Sequence, residues 1–516
     1  MKPYSYNVGL EFGAVARDHA RRPALRFPDG REVSYAELDD RVNRFASELI
    51  RRGLRRGDVM GIVHTKTLDC FAAMLGALKV GAAYLNLDDL NPAARLEHIL
   101  STAAPAFVVA QTVPDSVRDA AAHTGIPTFA FDDPAFARAI EAAPAGEPAT
   151  CAAVTGSDPA YVMFTSGSTG VPKGAIVTHG NLLSFASWCG MRFGFAPGDF
   201  LTNLNPLHFD FSVSDVYGAL LNGAAVVPIA RETLANPSLV LEQVERSQCT
   251  SWGSVPSLVI YLTTLNLLAP DRLPAIRQFI FCGEVYPKPE LRKLFAMFGH
   301  RSKLINAYGP TECTCFCSAW DIEAGDLEDL EGTVPLGHIA ENCSAVVLDD
   351  GREVGPGEIG ELYVMGPQVG LGYINDFART QGAFVANPVN ARWPERAYKT
   401  GDLVRLGQDG RTLVFVGRAD NQIKHMGYRI ELEEIEAAIN RLDGVVQSAV
   451  VHKADGSGMK IIVAYVAPDD ALTKAELRAR LRETLPAYMI PQNFELRKHL
   501  PKNANGKVDR VALAAQ

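Results

Sequence analysis

The sequence predicts an α/β protein, and changes in the spacing of its apolar residues support that prediction. Short apolar runs alternate with amphipathic helical segments over residues 34–110 and again over 200–307, which is typical of parallel sheets covered by helices on both faces. From about 340 to 417 the period becomes two, which predicts antiparallel strands. The last hundred residues predict a separate small α+β unit.

The first alternation begins with a helix that a capping box identifies. The Ser34 hydroxyl is placed to accept from the backbone N–H of Glu37, while the Glu37 side chain reaches back. Strands are then predicted at residues 59–63, 83–85 and 106–109, with helices at 68–80 and 93–100 between them. This order predicts a first parallel sheet.

The second alternation predicts where a ligand would bind. Strands are expected at residues 200–204, 225–229, 276–282 and 304–307, with helices from 212, at 239–246 and at 290–298. Ligands of such sheets lie beyond the carboxyl ends of the strands. We therefore expect segments 205–210, 282–284 and 308–312 to meet at one crevice.

A polar segment at residues 417–421 divides the chain. Before it lie both alternations and the antiparallel region; after it lie two predicted helices, at 432–442 and 474–485, and strands near 448–451 and 460–466. We expect one domain at 1–419 and a second at 420–516.

A glycine-rich loop, residues 165–174, lies between the strand-like runs 160–164 and 175–177. Its glycines allow close approach of the backbone to a ligand, and its hydroxyl and N–H groups suit phosphate oxygens. A flexible linker is the alternative, but linkers seldom join β-rich runs. The loop is not a Walker motif, because Lys173 follows Pro172 and precedes Gly174.

The bulk composition excludes some functions. The 516 residues carry 50 basic and 59 acidic side chains, a net charge of −9, which disfavours nucleic acid as a partner. The N-terminus lacks an apolar signal region, and the longest apolar run, near 216–230, is interrupted by Asn222. We expect a cytoplasmic protein with no membrane span.

The nine cysteines show no paired framework, which fits a reducing compartment. Cys313, Cys315 and Cys317 have alternate spacing, which predicts three thiols on one face of a strand. With no histidines nearby, core-facing thiols are favoured over a metal site.

Four charged residues are candidates for chemistry, each with a plain alternative. Glu312 suits a Mg²⁺ ligand or a capping carboxylate, and Asp402 suits ribose hydroxyls or a turn. Asp210 lies among apolar residues, so its charge needs a partner, either a substrate ammonium or a structural arginine. Lys507 lies in a Gly/Asn-rich loop, where most lysines are solvated. Alone, these residues indicate a nucleotide-binding α/β protein.

Taken together, these segments resemble the adenylate-forming superfamily of acyl-CoA synthetases, luciferases and nonribosomal peptide adenylation enzymes. Eight motifs follow the family's order over nearly the whole chain. They are residues 34–38, 78–84, the glycine-rich loop, 306–312, 360–362 with 370–373, 398–402, 417–420 and the Lys507 loop. Segments 209–215 and 281–285 are most similar to D-alanine:carrier protein ligases and stand-alone nonribosomal peptide adenylation enzymes.

The resemblance implies a fold: a large N-terminal domain of two doubly wound sheets plus a distorted antiparallel β-barrel, and a small mobile α+β C-terminal domain. It also implies that ATP and Mg²⁺ are the cofactors. The substrate carboxylate would attack the α-phosphate of ATP, and a pantetheine thiol would then attack the aminoacyl adenylate. The implied catalytic residues are Lys507, Glu312 as the magnesium ligand and Thr165, with Asp420 as the hinge.

The resemblance also implies two sets of binding residues in this chain, one for the nucleotide and one for the amino acid. The nucleotide set comprises Thr165, Ser166, Gly167, Ser168, Thr169, Gly170, Lys173, Gly283, Glu284, Asn306, Ala307, Tyr308, Gly309, Thr311, Asp402, Arg418 and Lys507. The amino acid pocket comprises Asp210, Phe211, Ser214, Gly253, Ile280, Cys282, Ala307, Cys315 and Phe316.

The implied substrate is a small amino acid whose ammonium meets Asp210. The bulky Phe211 beside that anchor indicates a shallow pocket. D-alanine is therefore the first candidate substrate, and glycine, L-alanine, proline and β-amino acids stay open.

No carrier domain follows the lysine loop, so we expect the acceptor to be a separate carrier protein or CoA. We expect the protein to be a monomer. An acyl- or aryl-CoA synthetase and an inactive scaffold protein are the alternative functions.

Residues 85–88, Leu-Asn-Leu-Asp, depart from the family's usual Val-Pro-Ile/Leu-Asp. This departure bears on packing more than on chemistry.

Overall fold

The computed structural model describes residues 5–167, 170–390, 392–455, 460–468, 472–502 and 508–515. In these ranges the helices α1–α16 are, in chain order, Val8–Asp18, Tyr35–Arg51, Leu68–Val80, Ala93–Ala103, Asp115–His123, Pro134–Ala142, His179–Phe193, Phe211–Leu220, Arg231–Leu234, Pro237–Arg246, Pro256–Thr264, Lys288–Phe298, Phe377–Ala383, Leu432–Asn440, Lys474–Leu481 and Arg510–Ala514.

The strands β1–β27 are, in chain order, Pro23–Arg26, Glu32–Ser34, Val59–Val63, Ala83–Leu87, Phe107–Ala110, Thr128–Ala130, Pro159–Thr165, Lys173–Thr178, Phe200–Asn203, Ala225–Pro228, Ser251–Ser254, Gln278–Phe281, Lys303–Tyr308, Ser318–Asp321, His338–Ile339, Ser344–Asp349, Arg352–Glu353, Ile359–Met365, Gly372–Tyr373, Phe384–Ala386, Arg396–Leu406, Leu413–Arg418, Gln422–His425, Tyr428–Glu431, Val445–Ala454, Lys460–Pro468 and Asn493–Leu496.

The first alternation forms a seven-stranded sheet in the order β19-β8-β7-β4-β3-β5-β6. Strands β3 to β7 pair in parallel, as the sequence predicts, and β8 returns antiparallel to β7. The glycine-rich loop is the connection between β7 and β8. It therefore projects from one end of this sheet, held by a strand on each side.

The second alternation forms a nine-stranded sheet in the order β15-β14-β13-β12-β11-β9-β10-β1-β2. Strands β9 to β13 are parallel. The predicted α/β class is confirmed. The spacing of apolar residues did not predict that β1, from the N-terminus, joins this sheet beside β10.

Helix α8 links the two sheets. All ten of its residues are buried, and its apolar side chains belong to a core that also includes residues from α2, α3, β4 and β7. Asp210 immediately precedes α8, so the position of this carboxylate is fixed by the main core. None of the helices in the described ranges combines the length and apolarity needed to cross a membrane.

The remaining sheets are antiparallel or small. A six-stranded sheet contains β16, β17, β18, β20, β21 and β22. The smaller C-terminal domain contains the hairpin β23–β24 and the sheet β25-β26-β27, whose two faces have separate apolar clusters. The division at residue 419/420 stays a prediction.

The predicted strand through the three alternate cysteines is wrong. Cys313 ends a short 3₁₀ turn, and Thr314 and Cys315 have φ values of 57° and 77°. These left-handed conformations break the strand period, so the thiols do not share one strand face. All three thiols are nevertheless buried and free.

One buried ion pair in this fold supports a stability prediction. Lys79 is fully buried and donates to Asp39 at 2.7 Å and to Asn43 at 2.7 Å, with Glu147 at 3.7 Å. Asp39→Ala should cost about 3 kcal/mol, because it leaves the buried ammonium with weaker partners. We expect the thermal midpoint to fall by roughly 3 °C, because the unfolding entropy of a domain this large makes each kcal/mol worth about 1 °C.

The neighbouring Asp40 provides the control for that measurement. It pairs with Arg44 on the same helix but its side chain is half exposed, so Asp40→Ala should shift the midpoint by about 1 °C or less. Equal shifts for the two variants would contradict the prediction.

Candidate active site

One cavity of about 440 Å³ lies where several strands end. Its wall contains residues 205–206 and 208–211 after β9, Cys282 and Gly283 after β12, and residues 309–311 after β13. The structure thus brings together the three segments that the sequence predicts to meet. The opposite wall comes from the hairpin β23–β24 of the C-terminal domain.

The glycine-rich loop forms one end of the cavity. The Thr165 hydroxyl is buried there without a hydrogen-bond partner among the described residues, so it is available to a ligand. Gly167 admits no side chain, since a Cβ would lie 2.0 Å from the Val171 oxygen. Ser168 and Thr169 lie outside the described residues.

The C-terminal domain contacts this loop directly. The Ser166 hydroxyl donates to the Arg429 carbonyl at 2.7 Å, and the Gly167 N–H donates to Glu434 Oε2 at 3.1 Å. Gly170 has φ +78°, and a Cβ there would lie 2.8 Å from Ala437 Cβ on α14. The close approach of α14 therefore depends on a glycine at this position.

Glu312, the predicted magnesium ligand, is buried and fully partnered. Its Oε1 accepts from the Tyr373 hydroxyl at 2.7 Å and lies 3.5 Å from Lys173 Nζ, and its Oε2 accepts from Arg429 at 2.7 Å. Burial acts to raise the pKa of Glu312, but Arg429 and Lys173 outweigh it and hold the pKa far below its usual range. Burial and Arg429 lower the pKa of Lys173 to about 8.

The predicted ribose site lies where β21 pairs with β22. Arg418 donates to Asp402 Oδ1 at 2.7 Å, and the Tyr308 hydroxyl donates to Asp402 Oδ2 at 2.5 Å. Arg418 also binds the predicted hinge residue, Asp420, at 2.6 Å. Burial acts to raise the pKa of Asp420, and the two bonds from Arg418 reverse that effect and lower it.

Asp210, the predicted ammonium anchor, lies at the cavity wall just before α8. No lysine or arginine in the described part of the chain forms an ion pair with its carboxylate; Lys424 and Arg429 act on it only from a distance. Burial raises the pKa of Asp210 despite a hydrogen bond from Thr311. The preceding loop is fixed by Asn86, one of the departing residues at 85–88, which donates to the Leu207 carbonyl at 2.8 Å.

Of the nine predicted pocket residues, only Asp210, Phe211 and Cys282 line the cavity. The Phe211 ring packs edge-on against Phe316 at 5.1 Å between centroids. A Cβ on Gly253 would lie 3.3 Å from the Phe211 ring. Behind this ring the remaining members of the set are buried: Ser214, Ile280, Ala307, Cys315 and Phe316.

The other predicted nucleotide residues are divided between the cavity and its supports. Gly283, Gly309 and Thr311 line the cavity. Glu284 accepts from the backbone N–H groups of Ser257, at 3.0 Å, and Gly427, at 2.7 Å. Asn306 donates to the Pro335 carbonyl at 2.7 Å, behind the wall. Lys507 lies outside the described residues.

The sequence reasoning missed the contribution of the C-terminal domain. Lys424 and Arg429 line the cavity from the hairpin β23–β24, and Glu434 reaches the glycine-rich loop from α14. The available signal was a run of charged residues at 424–436, directly after the predicted hinge. Its partners lie more than one hundred residues earlier in the chain, which no local pattern reveals.

Comparisons with known proteins agree with this arrangement. The sequence model described as AMP-binding enzyme matches residues 12–374, and the one described as AMP-binding enzyme C-terminal domain matches residues 434–507. The chain is 36% identical over 489 residues to an L-proline–[L-prolyl-carrier protein] ligase of Pseudomonas fluorescens, covering 94% of each protein.

Two further similarities extend this result. Surfactin synthase subunit 3 of Bacillus subtilis is 34% identical over 492 residues, and the match covers 95% of this chain but 37% of that protein. A solved nonribosomal peptide synthetase protein, which contains adenylation and PCP domains with a bound vinylsulfonamide inhibitor, superimposes with a TM-score of 0.84. That protein is 28% identical, and the match covers 98% of this chain and 84% of the other. The chain therefore belongs to the AMP-binding enzymes, a family of adenylate-forming ligases.

Proposed function

We propose that this protein activates a small amino acid with ATP, releases pyrophosphate, and transfers the aminoacyl group to the phosphopantetheine thiol of a separate carrier protein. The observation that carries the proposal is the carboxylate of Asp210, which faces the cavity without a cationic partner among the described residues. An α-ammonium group would supply the missing charge. An uncharged fatty or aromatic acid would leave this carboxylate uncompensated.

The nucleotide would bind at the opposite end of the cavity. The free Thr165 hydroxyl and the Gly167 N–H suit phosphate oxygens, and the Asp402 carboxylate suits ribose hydroxyls. Because the glycine-rich loop would hold the leaving pyrophosphate, the bond that breaks lies between the α- and β-phosphates. The substrate carboxylate is then the nucleophile, and no protein nucleophile is needed.

Glu312 fits the role of a magnesium ligand. Its side chain is buried beside Thr311 of the cavity wall, and Arg429 and Lys173 hold its pKa far below the usual range. Among the described residues, Arg429 of the other domain is the one partner of its Oε2. Bound there, Mg²⁺ would offset the charge on the phosphate oxygens. Lys173 and Tyr373 would keep Oε1 in place through the contacts already described.

The substrate side of the cavity favours a small side chain. The Phe211 ring lines the cavity and packs against Phe316, and six of the nine predicted pocket residues are buried and do not line the cavity. D-alanine is our first candidate, followed by glycine, L-alanine, proline and β-amino acids. The carrier protein ligase of Pseudomonas fluorescens to which the chain is similar is named for L-proline, which also belongs to this group.

The apolar edge of the cavity supports a thiol acceptor on another protein. Its lining residues include Leu234, Leu258, Tyr261 and Met426, and the last two are 52% and 64% exposed. An apolar edge that reaches the surface would suit the slender pantetheine arm of a carrier protein. Free CoA is the alternative acceptor.

The proposed substrate class is tested by ATP–pyrophosphate exchange. The assay uses a panel of glycine, D-alanine, L-alanine, L-proline and β-alanine beside fatty and aromatic acids. We expect exchange with at least one of the small amino acids and none with the other acids. Exchange with non-amino acids alone would show an acyl- or aryl-CoA synthetase, and no exchange with any acid would favour an inactive scaffold.

The ammonium anchor is tested by Asp210→Asn, which keeps the shape and removes the charge. The KM for the amino acid should rise about 100-fold, the effect of losing one partner of a buried charge pair. The KM for ATP should stay within about twofold, because the proposal assigns Asp210 to the substrate ammonium and not to the nucleotide. Asp89→Asn, which removes a carboxylate paired with Arg231 at the surface, is the control. An unchanged amino acid KM would remove Asp210 from this role.

Lys507→Ala tests the two-step scheme. Adenylation should slow by at least about 100-fold, as expected when a donor to developing charge is lost. Transfer from a preformed aminoacyl adenylate to the carrier thiol should stay within about threefold, because the resemblance places Lys507 in the first step only. Lys502→Ala, at the exposed start of the same loop, is the matched control. Equal loss of both steps would contradict the scheme.

A further inference from the structure

A buried lysine joins the two large sheets beside the cavity. Lys66 lies in the connection between β3 and α3 and is 8% exposed. Its ammonium donates to the backbone carbonyls of Asn203 at 2.7 Å, Ile229 at 3.0 Å and Leu204 at 3.4 Å. Asn203 ends β9, and Ile229 directly follows β10. A loop of the first sheet therefore supplies the cation that binds the carboxyl ends of two strands of the second sheet.

A buried carboxylate holds the same segment from the other side. Asp215 of α8 is 3% exposed, and its Oδ2 accepts from the side-chain amides of Asn203 and Asn205, each at 3.0 Å. Asn203 thus lies between two opposite charges, because its backbone carbonyl accepts from Lys66 and its side chain donates to Asp215. Asn205 itself lines the cavity, five residues before Asp210.

Both charges are costly to bury. Burial lowers the pKa of Lys66, and the charges of Asp215 and Glu232 act against that effect. Burial raises the pKa of Asp215, and hydrogen bonds from the two asparagines, together with the charge of Lys66, act against it. Apolar side chains of the same volume would fill this space without needing partners. The charge pair is therefore explained by the groups that it holds and not by packing.

We propose that Lys66 and Asp215 are positioning residues for the substrate site, because together they fix where the Asp210 carboxylate lies. The inference rests on the proposed function, in which that carboxylate binds the substrate ammonium. The connection from β9 to α8 comprises only residues 204–210, and α8 begins directly after Asp210. Since Asp215 belongs to α8 and binds both asparagines, it ties the start of this connection to the helix at its end.

Separate contacts hold the rest of the connection. Asn86 of β4 donates to the Leu207 carbonyl at 2.8 Å, and the Ser212 hydroxyl donates to the Phe209 carbonyl at 2.6 Å. The charge pair therefore controls the start of the connection and not its whole course. Its loss should displace Asp210 without unfolding the site, and small displacements of a binding group weaken an enzyme considerably.

The inference is tested by ATP–pyrophosphate exchange with the amino acid of the panel that gives the highest rate. Lys66→Met should raise the KM for that amino acid about tenfold and leave the KM for ATP within about twofold. Asp215→Asn, which removes the other charge and keeps the shape, should change the two KM values in the same way. Equal increases in both KM values would overturn the proposal.

A double variant tests whether Lys66 acts through Asp210. In the Asp210→Asn protein, adding Lys66→Met should change kcat/KM for the amino acid by less than about twofold, because the charge to be positioned is already gone. A further tenfold loss in that protein would show that Lys66 acts on catalysis by another route and would overturn the inference.

Lys79→Met is the matched control for general destabilisation. Lys79 is also a buried lysine, on the helix α3 that follows Lys66, but its partners Asp39 and Asn43 lie on α2. Its replacement should lower the thermal midpoint and leave both KM values within about twofold. An amino acid KM raised as much as in Lys66→Met would assign the effect to lost stability and contradict positioning.

Hydrogen–deuterium exchange tests the positioning without any substrate. In Lys66→Met the backbone amides of residues 204–210 should exchange at least about threefold faster than in the wild type, while those of residues 432–440 in the other domain should not change. Unchanged exchange in residues 204–210 would overturn the proposal.

The two assays separate this inference from the proposed function. If no amino acid drives ATP–pyrophosphate exchange but residues 204–210 become less protected in Lys66→Met, the substrate assignment fails and the fixing of the connection stands. If amino acids drive the reaction and Lys66→Met leaves their KM unchanged, the positioning role fails and the function stands.

Discussion

The arrangement of the site depends on one buried carboxylate, Glu312. A charge this deep is stable only with cations close by, and the chain supplies Lys173 from β8 and Arg429 from β24. These two residues come from different domains, so the electrostatic requirement of a single side chain holds the hairpin β23–β24 against the cavity. Lys173 and Tyr373 contact Oε1, whereas Arg429 contacts Oε2.

A second carboxylate of the site, Asp210, differs from Glu312 in its charge partners. Its position is fixed by α8 and by the loop that Asn86 holds, yet the described chain gives it no cation. This difference in charge partners indicates that the two carboxylates have different roles in one site. Glu312 is neutralised by cations of the protein itself, whereas under the proposed function the substrate ammonium would neutralise Asp210. Phe211, which packs against Phe316, would then limit the size of that substrate.

The features that depend on local sequence patterns were predicted from the sequence. The alternation of strands and helices identified the parallel sheets, and the rule that ligands bind past strand ends brought 205–210, 282–284 and 308–312 to one cavity. Sequence reasoning failed for features that depend on packing between residues far apart in the chain. The left-handed residues Thr314 and Cys315 broke a strand predicted from spacing alone. The contact of Glu434 with Gly167 joins residues 267 positions apart, and only the docking of two folded domains creates it.

The proposed role of Glu312 as the magnesium ligand is tested most directly by a crystal structure of the protein with Mg²⁺ and a nonhydrolysable ATP analogue. The account predicts that the metal lies on Glu312 Oε2, the atom that accepts from Arg429 in this structure. A structure in which Mg²⁺ and the nucleotide are bound and the metal does not touch Glu312 would contradict it.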